Sequence, residues 1–238
     1  MSILPRSLLN IGAKLGQLLP AQPCLLCGAM SHHGAWCAAC GTALPYLTAA
    51  HCPVCALPTL DGALCGRCLK KNPRFDRTVA VFAYSFPVDK LVQALKFNEQ
   101  LHLANGLADR LVQRISIRPD SIVAMPLHPA RLKQRGHNQS LELARRLAYK
   151  LDVPLLPHTC QRVRDTPPQS AIKWNERGKN MRKAFHCTGN FTGKHVAMVD
   201  DVMTSGASLN ELALALRRCG AREVSAWVVA RTLPHDSS

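Results

Sequence analysis

From Arg77 onward, short apolar runs alternate with segments whose apolar residues recur every three or four positions. "RTVAVFAYSF" and "SIVAMPLH" are runs of the first kind; "VDKLVQALKF", "LHLANGLADRLVQRI" and "NQSLELARRLAYKL" are segments of the second. "HVAMVDD", "SLNELALALRRCG" and "EVSAWVVAR" then repeat the alternation. Strands separated by helices pair through crossovers, so the pattern predicts an α/β domain with a mostly parallel sheet and helices on both faces. "HVAMV" is apolar without alternation, as an interior strand buried on both sides should be. In the helix behind it Leu209, Leu212 and Leu216 share a face, Arg217 and Arg218 occupy the last turn, and Gly220 ends it.

The N-terminal region reads differently. Leu8, Leu9, Ile11, Leu15, Leu18 and Leu19 predict one face of a short amphipathic helix packed on its own protein. Pro5, Gly12, Lys14 and Gly16 deny this stretch the continuous apolar core of a secretory signal. No run of about 18 apolar residues exists, which excludes a transmembrane helix, and the expected location is the cytoplasm. The predicted divisions are an amphipathic segment over 1–22, a cysteine-rich module over 23–72 and the α/β domain over 73–238, with Lys70-Lys71-Asn72-Pro73 as the linker.

Eight of the eleven cysteines form four C-x2-C pairs, Cys24/Cys27, Cys37/Cys40, Cys52/Cys55 and Cys65/Cys68. Nine residues separate the pairs within each couple and eleven separate the couples, which makes an internal repeat. Two residues between cysteines let both thiolates of a tight turn point at one ion, and two turns complete a closed tetrahedral site. Two structural Zn²⁺ ions are expected. Which pairs share an ion stays open at this point, as does replacement of a cysteine by His32, His33 or His51. A disulfide framework would need an oxidising compartment. Cys160, Cys187 and Cys219 are expected as buried free thiols in helix or strand contexts.

Charge narrows the partners. The formal net charge is +15, and residues 121–183 carry 13 Lys and Arg against 4 Asp and Glu. Eight metal-bound thiolates and two Zn²⁺ contribute about −4, which leaves about +11. A basic surface this local faces either an anionic partner or solvent.

The densest chemistry lies behind "HVAMV". Asp200 and Asp201 stand at the carboxyl end of that strand, where open α/β sheets bind ligands. Thr204-Ser205-Gly206-Ala207-Ser208 follows at a helix start. Glycine admits a close ligand, amide N–H groups converge there, and the hydroxyls add donors, so the stretch is a cradle for a phosphate monoester. Carboxylates beside a phosphate must address another part of the ligand, by accepting from ribose hydroxyls or by managing a pyrophosphate with Mg²⁺. "GNFTGKH" at 189–195 is no P-loop, because it has three intervening residues, ends in His and precedes a strand.

An apolar strand, two acids and T-x-G-[AGS]-[ST] at a helix start resemble the phosphoribosyl pyrophosphate (PRPP) motif of type I phosphoribosyltransferases. With the cysteine pairs, "PRFD", "ALKF", "MPLHPARLKQRGHNQS", "RVRDTPPQSAIKWNERGKNMRKAF" and "VDDVMTSGASL", the chain from Cys24 to Arg231 resembles the ComF/GntX family. That resemblance implies a phosphoribosyltransferase-type sheet behind a double zinc ribbon, PRPP and Mg²⁺ as ligands, and a role in natural competence and the use of external DNA. The family usually has Thr at the positions of Ser205 and Ser208, Phe at that of His137 and Pro at that of Ala124. Both serines keep a hydroxyl.

The resemblance also implies roles for residues elsewhere. His128, Arg131 and Arg135 would face the pyrophosphate, Arg through its planar two-donor fork; the alternative for 135–139 is an ordinary capped helix entry. Residues 162–185 would form a cover bringing Arg162, Thr166, Gln169, Arg177 and Asn180 over the ligand, the alternative being a solvated linker. The implied reaction is attack of a nucleophile on the anomeric carbon of PRPP with loss of pyrophosphate; no side chain is legible as a covalent catalyst. The competing reading is an adaptor that binds single-stranded DNA or DNA-uptake and DNA-processing proteins, with a regulatory PRPP pocket. Aromatic residues make up 5% of the chain and Trp174 is the sole tryptophan of the basic stretch, so DNA binding would be chiefly electrostatic.

Overall fold

The computed structural model describes residues 22–31, 34–48, 50–97, 100–164 and 181–234. The chain divides into two compact units between Leu44 and Pro45.

In the smaller unit β1 (Gln22–Pro23) pairs antiparallel with β2 (Met30–Ser31), and α1 (Ala38–Thr42) follows. Gly28 has φ +74° and donates its N–H to the Cys24 carbonyl at 2.8 Å, closing the first C-x2-C turn. The Cys37 sulfur accepts from the Cys40 N–H and caps α1.

The larger unit holds the second cysteine quartet, with α2 (Gly66–Lys71) starting behind Cys65. Its sheet is parallel throughout, as the alternating pattern predicts, in the order β3 (Arg77–Ala83), β8 (Glu223–Arg231), β7 (His195–Met203), β4 (Ser121–Ala124). Leu155 adds a parallel bridge to Ile122. Between β3 and β4 run α3 (Val88–Phe97) and α4 (Leu103–Val112); β4 leads to α5 (Pro129–Arg135) and α6 (Gln139–Leu151); α7 (Ala207–Arg218) joins β7 to β8.

Alternation along the strands separates two packed faces. Val196 and Met198 of β7 and Val224, Ala226 and Val228 of β8 share one cluster with Leu209, Leu212 and Leu216 of α7. Cys52, Cys55 and Cys68 belong to the same cluster. Buried Leu107 of α4 and Leu143 and Leu147 of α6 lie outside it and cover the other face.

β5 (Cys160–Arg162) and β6 (Phe185–Cys187) form a separate antiparallel pair. Cys160 and Cys187 sit opposite each other with Cα atoms 4.2 Å apart and are joined as a disulfide, which corrects the expectation of two free thiols. Register across strands 27 residues apart carries no signal in a single sequence; Cys219 is free as expected, though half-buried rather than buried. Among the described residues no helix is long and apolar enough to cross a membrane.

Candidate functional site

The crevice arises from unequal strand lengths. β4 ends at Ala124 opposite Val199, whereas β7 continues to Met203 paired with β8 alone. The last four residues of β7 therefore have one free edge, and the N-terminus of α6 fills it. The 3.6-residue period that buries Leu143, Ala144 and Leu147 also turns Gln139 and Ser140 inward. Asn138 caps this helix, accepting from the Ser140 N–H at 3.0 Å, and ties it to β4 by donating to the Met125 carbonyl at 3.1 Å.

These two polar residues meet the two acids. Ser140 Oγ donates to Asp200 Oδ1 at 2.9 Å, and Gln139 Nε2 approaches Asp201 Oδ2 at 3.5 Å. Lys96, at the end of α3, lies 2.6 Å from the same oxygen of Asp201. Arg135 donates to Gln139 Oε1 at 2.7 Å and stacks 4.9 Å over the Phe97 ring. Burial, followed by the charge of Asp201, pushes the Asp200 carboxyl up to about 7. Burial opposes the Lys96 ammonium, but Asp201 outweighs it and holds the group above its ordinary value.

The turn behind β7 depends on Gly206, which has φ +79° and opens α7. That backbone conformation requires glycine; a Cβ there would also stand 2.8 Å from Met203 Cε, the movable end of a flexible side chain. Ser205 Oγ accepts from the Ala207 N–H at 3.3 Å. The other first-turn amides have no acceptor within the helix, as at any helix start. Thr204 to Ser208 are half-buried along the wall of a cleft of about 1800 Å³.

That cleft unites most of the residues anticipated from sequence: Asp200, Asp201, Thr204, Ser205, Gly206, Ala207, Ser208, Arg131, Arg135 and Arg162 all line it. His128 is found at the start of α5, where its ring nitrogen accepts from the Ala130 N–H at 3.4 Å, and is not part of the wall. Thr166, Gln169, Arg177 and Asn180 lie outside the described residues. Sequence reasoning missed Lys96, Gln139 and Ser140, although "ALKF" and "GHNQS" contain them. It also missed Arg231, wholly buried at the end of β8, which donates to the Met203 carbonyl at 2.8 Å and the Thr204 carbonyl at 2.5 Å.

The cysteine pairs sort as Cys24, Cys27, Cys37, Cys40 and Cys52, Cys55, Cys65, Cys68, each set with its sulfurs within 4.8 Å of one another. This resolves the open pairing in favour of neighbouring couples. His51 forms a bridge to Pro58 and belongs to neither set; His32 and His33 lie outside the described residues. Four sulfurs about 2.3 Å from a tetrahedral Zn²⁺ stand about 3.8 Å apart. Cys27 and Cys37 are separated by 3.8 Å, and Cys55 and Cys65 by 3.5 Å. The donor sets fit Zn²⁺.

The double zinc ribbon domain model matches residues 15–69, and the phosphoribosyl transferase domain model matches residues 137–235. The DNA utilization protein YhgH of Salmonella typhimurium is 37% identical over 222 residues, covering 88% of this chain and 97% of that protein. Competence protein F of Haemophilus influenzae is 34% identical over 180 residues, 70% of this chain and 78% of that protein. A solved structure of glutamine PRPP amidotransferase from B. subtilis aligns with 52% of this chain and 25% of that one at 22% identity, with a TM-score of 0.36.

Proposed function

The chain belongs to the family of DNA utilization protein YhgH and competence protein F, and from that premise we propose that it binds PRPP with Mg²⁺ in the cleft and serves DNA uptake or the use of external DNA. The observation that carries this reading is the meeting of two carboxylates with a glycine-bent helix start at the end of β7. The loop at 204–208 takes the 5-phosphate through amides and hydroxyls. Asp200 and Asp201 accept from the ribose hydroxyls, and Lys96, Arg131 and Arg135 line the wall toward the pyrophosphate. Carboxylate oxygens are hard donors suited to Mg²⁺, so the same two acids would hold the ion beside the ligand. When bound, it supplies neutralisation of the pyrophosphate leaving group. Transfer of phosphoribosyl to an acceptor, with pyrophosphate departing, is the reaction such a site supports. The reading assigns the protein to the cytoplasm.

The test is isothermal titration of the zinc-loaded protein with PRPP and Mg²⁺ beside a folded Asp200→Asn/Asp201→Asn variant. Saturable binding is expected, weakened about 100-fold in the variant by loss of two charge-assisted bonds of about 1.5 kcal/mol each. Absence of binding by the wild type overturns the reading.

The 13 Lys and Arg of residues 121–183 favour a second reading, a non-catalytic adaptor for single-stranded DNA or competence proteins in which the PRPP pocket is regulatory. It requires oligonucleotide affinity that falls steeply with salt.

A further inference from the structure

Arg231 touches both the second cysteine quartet and the phosphate loop. It is wholly buried. Its Nε donates to the Cys55 carbonyl at 2.7 Å, and its Nη1 donates to the carbonyls of Met203 at 2.8 Å, Thr204 at 2.5 Å and Thr232 at 2.8 Å. Cys55 is one of the four zinc ligands, and Met203 and Thr204 lead into the loop. One rigid planar fork therefore spans both sites.

These bonds determine where the loop's donors point. A trans peptide is planar, so the carbonyl of one residue and the N–H of the next point in opposite directions. Turning the Met203 and Thr204 carbonyls toward the guanidinium turns the Thr204 and Ser205 N–H groups away from it. Thr204 and Ser205 line the cleft, whereas Arg231 does not. The amides are thereby aimed at the side from which a phosphate arrives.

The other end of the fork is equally fixed. Thr78 of β3 donates its N–H to the Pro53 carbonyl at 3.0 Å and its hydroxyl to the Val54 carbonyl at 2.5 Å, which sews the Cys52–Cys55 turn to the sheet. The Thr78 hydroxyl also lies 3.8 Å from Met203 Sδ. A quartet of thiolates around Zn²⁺ carries a net charge of about −2, and a buried guanidinium beside it is the compensating cation.

We propose that Arg231 is a positioning residue through which zinc in the second quartet and phosphate in the 204–208 loop stabilise each other. The proposal rests on the phosphate-binding reading above. By linkage, the ligand must tighten zinc by the same factor by which zinc tightens the ligand. Zinc in this larger unit thus regulates affinity in the cleft as well as folding its own ribbon.

The test uses full-length, zinc-loaded protein, with ribose 5-phosphate as a phosphate monoester probe that needs no Mg²⁺. Zinc release to a chromogenic chelator is followed with and without the probe, and a Cys37→Ser/Cys40→Ser variant assigns the phase belonging to the second quartet. Titration calorimetry on the same samples reports whether the probe binds. The expected result is probe binding, with release from the second quartet slowed about tenfold, inside the usual range of allosteric coupling. Arg231→Met and Arg231→Lys should both lose that slowing, the lysine variant because it keeps the charge but not the fork. Since either variant can fail to fold, the wild-type linkage decides by itself. Binding without any change in zinc release refutes the coupling and leaves the phosphate site standing; no binding of the probe or of PRPP refutes both.

Discussion

Asp200→Asn removes the ionisation of the most deeply perturbed acid in the cleft while keeping its shape. The Asn carbonyl oxygen can still accept from Ser140 Oγ and from the Asp201 N–H, which Asp200 Oδ1 receives at 2.9 Å each. Burial, then the neighbouring Asp201 charge, raise the carboxyl from 3.8 to about 7. Between roughly pH 4 and pH 7 the folded protein therefore holds a proton that the unfolded chain has released, and stability falls as pH rises through that window. A shift of about 3 units at about 1.4 kcal/mol each sets a ceiling of about 4 kcal/mol. Asp200 keeps some contact with the cleft, so about 2 kcal/mol is the working expectation after solvent screening.

The assay is urea unfolding of wild type and Asp200→Asn from pH 4.5 to 8.5, with excess zinc and no PRPP. Fluorescence of Trp227, buried in β8, reports the core. Terms common to both proteins cancel in the difference. The variant should gain on the wild type by about 2 kcal/mol between pH 5 and pH 8, with the change flattening above pH 7. Curves that stay parallel within about 0.5 kcal/mol across the window would mean that Asp200 ionises freely in the fold, and the burial argument would be wrong.

Lys96→Met leaves the Asp201 carboxylate buried without its cation and should cost about 3 kcal/mol in the same assay, with Lys96→Met/Asp201→Asn recovering most of it. Equal losses in the single and double variants would refute the pairing. Gly206→Ala forces a side chain into left-handed backbone 2.8 Å from Met203 Cε; PRPP affinity should fall about tenfold with about 1–2 kcal/mol lost in stability, and unchanged affinity would remove the loop from the phosphate site. Elemental analysis should find two Zn²⁺ per chain, and denaturation with a chelator but no reductant should release nine titratable thiols, since two of the eleven cysteines are paired. One zinc, or eleven thiols, would contradict the quartets or the disulfide respectively.

What was legible in the sequence was local. The strand "HVAMV", the two acids and the loop to α7 are contiguous, so period and glycine sufficed to locate Asp200, Asp201 and the 204–208 turn. The cysteine repeat disclosed four C-x2-C pairs but not which of them share a site; the structure groups neighbouring pairs into quartets that each span 17 residues. The remainder depends on distance along the chain. Lys96 reaches Asp201 across 105 positions, and its sequence neighbourhood reads only as the charged end of an amphipathic helix. Gln139 and Ser140 look like ordinary first-turn residues behind an Asn cap. Only the unequal lengths of β4 and β7, set by sheet register, bring them onto the acids.

Arg231 illustrates the same limit from the other side. An arginine closing an apolar strand reads as a surface charge, since such residues are seldom fully buried without a partner. Its partners are carbonyls at 55, 203, 204 and 232. Backbone carbonyls have no residue identity, so no pattern of side chains can announce them. The cysteine quartet that sequence alone separates from the α/β domain is thus joined to it by a bond whose acceptor any residue at position 55 would supply. The specificity of that joint resides in the donor: a lysine has charge but cannot hold both carbonyl sets in one plane, and a methionine fills the volume while taking a donor away from four carbonyls, two of them in buried contacts.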